Sequence, residues 1–105
     1  MANLNLITAV VQHKVGDRVI LAAIKAGATG ATYFFAEGTG VRQTVTGADD
    51  IEIAKCVIFI VVDPGKTDAV LDAVVKTANL SAPGQGFACV QEVMKAVGFV
   101  PSAQT

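Results

Sequence analysis

Thr77-Ala-Asn-Leu-Ser-Ala-Pro-Gly-Gln-Gly-Phe-Ala-Cys-Val90 joins the end of a helical pattern to the start of a strand. Gly84 and Gly86 flank one polar residue, Gln85, so the chain bends where no Cβ blocks the close approach of another group. Free N–H groups in such a bend can face an anion, and the same pattern serves equally well as a plain turn. Upstream, Val70, Leu71, Val74, Val75 and Ala78 form one apolar stripe at helical spacing. Asp68, Asp72 and Lys76 take the opposite face, with Asp72 and Lys76 paired at i, i+4. Thr67 or Asp68 is expected to cap this helix. Before it, Asp63-Pro64-Gly65 reads as a turn in which proline presets φ and glycine accepts a positive φ. The run Ile53 to Val62 is almost wholly apolar after Lys55, as expected of a strand covered on both faces.

Leu4 to Gln12 is a β-branched apolar run, followed near Gly16-Asp17 by an N-cap expected to start a helix. That helix reaches about Ala26, and Gly27 closes it. Gly30 to Glu37 is rich in strand formers and is stopped by Gly38-Thr39-Gly40. Between Gly40 and Glu52 lies the least apolar part of the chain, with Arg42, Gln43, Thr44, Thr46, Asp49 and Asp50, which reads as an exposed, mobile loop. A last strand spans about Phe87 to Val93, and residues 94–105 form a tail of small residues.

Strand, helix, strand, strand, helix, strand is the order that right-handed crossovers fold into a four-stranded antiparallel sheet with both helices on one face, the α+β, ferredoxin-like βαββαβ plan. It leaves the other sheet face bare, and self-association would cover the apolar side chains there. With 105 residues the chain is expected to form one domain, residues 1–105. Only 16% of residues are charged, against roughly 25% in ordinary soluble domains, which again favours an oligomer. A net charge of −1 argues against nucleic-acid or anionic-membrane binding. No apolar run approaches the ~18 residues of a membrane span, and Met1 to Ile7 lacks a positively charged leader, so a cytoplasmic location is expected. Cys56 and Cys89 both lie in apolar runs and are expected to be buried free thiols, on strands too far apart for a disulfide.

Three segments together resemble the PII signalling family. Gly27-Ala-Thr-Gly-Ala-Thr32, leading to Gly38-Thr-Gly40-Val-Arg42-Gln43, is similar to the family's second strand and the start of its T-loop. Ile60 to Ala78 is similar without gaps to its third strand and second helix, and the loop containing Gly84 and Gly86 is similar to its B-loop. The resemblance runs from about Leu4 to Val93. The chain resembles the divergent PII-like branch more than the classical nitrogen regulators. The resemblance implies a homotrimeric regulator, with nitrogen regulation as the family's role, that binds an adenine nucleotide (AMP, ADP or ATP) or a small anion between subunits. It also implies a T-loop, residues 40–52 here, acting on a target protein such as a transporter or metabolic enzyme. Thr32, Gly38, Gly40, Arg42, Gln43, Asp63, Gly84, Gln85 and Gly86 are the positions it marks for effector binding. It implies no covalent cofactor, no metal site and no catalytic residue.

Departures from the family pattern bear on the effector. Gln85 and Phe87 stand where most members carry aspartate and lysine, and Gly98 and Val100 fall near the family's two nucleotide-binding arginines. A triphosphate would have to be stabilised here by main-chain N–H groups. The single tyrosine, Tyr33, falls inside a strand, so modification of a T-loop tyrosine is not implied. Arg42 could grip a carboxylate or phosphate or be a solvated loop residue, and Lys66 could reach a phosphate or be a plain surface lysine. His13 reads as structural, Asp49, Asp50 and Glu52 as a solvated cluster, and Phe34, Phe35 and Phe59 as core or subunit interface. Two alternatives use the same fold: a CutA-like trimeric metal-binding protein, which needs a His/Cys/carboxylate cluster, and a small enzyme, which needs a nucleophile beside a base.

Overall fold

The structure is a computed structural model in which residues 4–37 and 54–98 are described. Strand β1 spans Leu4–Gln12 and helix α1 Gly16–Lys25, and strand β2 spans Gly30–Glu37. Strand β3 follows at Ala54–Val62, helix α2 at Thr67–Ala78 and strand β4 at Gly86–Val93. The sheet order is β2-β3-β1-β4 with every neighbouring pair antiparallel, which is the ferredoxin-like arrangement.

Alternation along the central strands divides the sheet into two unlike faces. Ile7, Ala9 and Val11 of β1 and Cys56, Ile58, Ile60 and Val62 of β3 point toward the helices and are buried. Val19 and Ala23 of α1 and Val70, Val74 and Ala78 of α2 close over them. The stripe read from the sequence is therefore the packing face of α2, and the Asp72–Lys76 pair forms on its exposed side at 3.2 Å. On the opposite face Leu6, Val10, Val57 and Val61 are only half-buried, and Phe34, Phe59 and Phe87 are 48%, 37% and 56% exposed. The rings of Phe34 and Phe59 lie 6.0 Å apart on this open face.

Local details correct several sequence expectations. Helix α1 starts at Gly16 after a single 3-10 turn, His13–Val15, and neither helix has a side-chain cap. Gly16 lies directly over Cys56, where a Cβ would come 2.7 Å from Sγ, so it serves close helix–strand packing and not capping. Thr67 is a bracket rather than a cap. Its Oγ1 donates to the Asp63 carbonyl at 3.0 Å and accepts from Asn5 Nδ2 at 2.9 Å, tying the turn to β1. Gly65 does not take a positive φ, because Pro64–Lys66 winds as a 3-10 turn directly into α2. Gly27 does, at φ 121°, as a helix-closing glycine should. Cys89 is exposed, not buried, because β4 is an edge strand and Cys89 projects onto the open face, whereas Cys56 projects into the core. Both thiols are free. Phe34, Phe35 and Phe59 are all outside the protomer's core.

Candidate functional site

The glycine loop forms where β4 parts from β1. The ladder ends at the Val11–Gly86 pair, and Gly86 has φ 129° with its Cα pressed against β1 so closely that a Cβ would collide with the Val10 carbonyl oxygen. Gly84 has φ 79°. Both glycines are needed for conformation, a requirement that holds with or without a ligand. Gly84 and Gly86 are exposed and Gln85 is half-buried. One step beyond the ladder, Gln12 Nε2 donates to the Gly84 carbonyl at 3.0 Å, replacing the missing rung with a side chain.

Lys55 pairs with Gln12 across β1 and β3, on the open face and at the same end of the sheet. Two strand spacings of about 4.8 Å separate its strand from β4, a gap of about 10 Å that a lysine and a small ligand can bridge. Gln12 and Lys55 escaped the sequence reading. The available signal was Lys55 as the lone charge in the β3 run Ala54 to Val62.

Other positions marked from the sequence are dispersed. Thr32 is exposed on the edge strand β2, in the row Thr32, Phe59, Thr8, Cys89. Asp63 follows the far end of β3, about 23 Å along the strands from Gly86 at roughly 3.3 Å per residue. Its carbonyl accepts from the Lys66 N–H and the Thr67 hydroxyl. One protomer therefore does not bring Thr32, Asp63 and Gly84–Gly86 to one ligand. Gly38, Gly40, Arg42 and Gln43, with the Asp49, Asp50 and Glu52 cluster and most of the tail, lie outside the described residues.

Lys66 lays its aliphatic stem across Gly27, near enough that a Cβ there would come 2.8 Å from Lys66 Cδ. It sits at the Asp63 end of the sheet. His13 packs against Phe35 with the rings tilted by 43° and their centroids 4.2 Å apart. Burial pushes the Cys56 thiol pKa up, and the neighbouring Asp17 charge adds to the effect, which disfavours the thiolate form. A shallow depression of about 330 Å³ lined by Leu4, Asn5, Pro64, Glu92 and Val93 lies at the end of the sheet away from the glycine loop. Among the described residues no three His, Cys, Asp or Glu side chains gather to hold a metal. None of the described helices is long and apolar enough to cross a membrane.

Comparison with known proteins gives this geometry a family. The structure is similar to a crystal structure of Arabidopsis thaliana PII bound to citrate, with a TM-score of 0.65 over 85% of this chain and 76% of that one. Sequence identity between the two is 24%, so that likeness speaks for the fold. No curated protein sequence matches the chain. The family model described as "Nitrogen regulatory protein P-II" matches residues 4–98, nearly the whole chain. The protein belongs to the P-II family of signalling regulators.

Proposed function

We propose that this chain is a homotrimeric P-II-type regulator that senses a small anionic effector in clefts between subunits. The observation that carries the reading is the open sheet face. Phe34, Phe59 and Phe87 are too exposed there for a solitary domain, and the glycine loop and Lys55 lie at one end of the same face. Copies packed through that face would cover the rings and could bring the dispersed positions, Thr32, Asp63 and Gly84–Gly86, toward a shared cleft.

Within the cleft, main-chain N–H groups of Gly84–Gly86 hold the anion and Lys55 supplies the cation that the family's usual positions lack. Adenine nucleotides and small carboxylates both fit that chemistry, and the citrate of the Arabidopsis neighbour is one such carboxylate. The segment from Gly40 to Glu52, with Arg42 and Gln43 at its start, reports occupancy to a target protein in the cytoplasm, a transporter or a metabolic enzyme. An effector shifts that report only through different affinities for two states of the protein. Regulation of nitrogen metabolism is the family's role and is the one proposed here.

Thermal-shift measurements with AMP, ADP, ATP, bicarbonate, citrate and 2-oxoglutarate test the reading, since a ligand that binds the native state raises the melting temperature by mass action. At least one of these anions is expected to raise it, and Lys55→Gln to reduce the shift. Absence of any shift at millimolar concentrations would contradict an anion-sensing role.

A further inference from the structure

We propose that Gln12 is a positioning residue that aims the glycine loop for its ligand, an inference resting on the effector reading above. The backbone ladder between β1 and β4 stops at Val11 and Gly86, and the next unit of β4 turns away through Gly84 at φ 79°. Glycine at such a φ has many accessible conformations, so the loop needs an external constraint to keep one of them. Gln12 supplies it, because its Nε2 reaches over the end of β1 to the Gly84 carbonyl at 3.0 Å.

Gripping that carbonyl also directs a donor. The peptide between Gly84 and Gln85 is planar and trans, so its N–H points opposite to its C=O. With the carbonyl held by Gln12, the Gln85 N–H is turned away from the Gln12 amide. A main-chain donor fixed in advance binds an anion without losing conformational freedom at that moment. Gln12 is also the cross-strand neighbour of Lys55, so the tether is anchored at the same end of the sheet as that cation.

Hydrogen–deuterium exchange of the free protein, followed by titration with ADP and citrate, tests this in the wild type, Gln12→Leu and Gln12→Lys. Leucine removes the donor, and lysine keeps one. In Gln12→Leu the Gly84–Phe87 segment is expected to exchange about 2- to 10-fold faster, the range of one net hydrogen bond, with exchange in Ile7–Val11 unchanged. Affinity for whichever probe binds the wild type falls by a similar factor, and Gln12→Lys restores slow exchange in the loop. Unchanged exchange in Gln12→Leu, or a loosened loop that keeps wild-type affinity, would overturn the proposal. Failure of the wild type to bind either probe while the loop still loosens would count against the choice of anion and would uphold the tether.

Discussion

Gly16 and Cys56 are in contact across the interface between α1 and β3, with room for no atom between the glycine Cα and the sulfur. A Cβ at position 16 would lie 2.7 Å from Sγ and 3.1 Å from the Cys56 Cβ, both rooted in a central strand with no room to retreat. Gly16→Ala is expected to destabilise the fold by about 1–3 kcal/mol despite the better helix propensity of alanine. Cys56→Ala in the same chain removes the obstructing sulfur and should recover much of the loss. A double-mutant cycle of urea unfolding measures the coupling, and additive effects would show that the two residues do not clash.

The Cys56 thiol also gives stability a pH dependence. Burial raises its folded pKa above the unfolded value of about 8.5, so the two states bind protons equally below that pH. Above it the unfolded thiol ionises first, the unfolded state holds fewer protons than the native one, and this contribution to stability is lost as pH rises through the folded pKa. Urea midpoints at pH 7 and pH 10 are expected to fall further in the wild type than in Cys56→Ala. An equal fall in both would remove Cys56 from the alkaline transition.

Gly84 and Gly86 differ in what alanine would cost. Gly84→Ala has to place a side chain at φ 79°, a penalty of about 1–2 kcal/mol. Gly86→Ala adds a collision with the Val10 carbonyl, which cannot move without breaking the β1–β4 ladder. The melting temperature of Gly86→Ala should therefore fall further, with β4 the first element to lose protection in hydrogen exchange. Equal losses would mean that the loop does not press on β1 as described.

Much of the fold was legible in the sequence because its signals are local. The β-branched run Leu4 to Gln12, the period of Val70, Val74 and Ala78, and the helix-closing Gly27 each state their element without help from distant residues. The misread residues are those whose role is set across the sheet. Gly16 looked like part of a cap because its partner, Cys56, is forty positions away in the chain. Thr67 likewise takes its role from Asn5. Cys89 looked buried because an apolar run does not reveal whether its strand lies at the edge. For the candidate site, the two glycines stood out, while Gln12 and Lys55 became visible once β1, β3 and β4 lay side by side.

Phe34 is half-exposed and outside the core, so a charge there should spare the protomer and disrupt only what packs on the open face. Phe34→Asp is expected to keep the wild-type circular dichroism spectrum while lowering the solution mass from that of a trimer to that of one chain. Retention of the oligomer would place the contact between copies elsewhere.

Association of copies through the open sheet face decides whether the proposed cleft exists. Multi-angle light scattering on the purified wild-type chain measures it directly. Three copies of 10.8 kDa, a particle of about 32 kDa, are predicted across the micromolar range. A single 10.8 kDa species at every concentration would contradict a shared cleft and leave the rings of Phe34, Phe59 and Phe87 facing water.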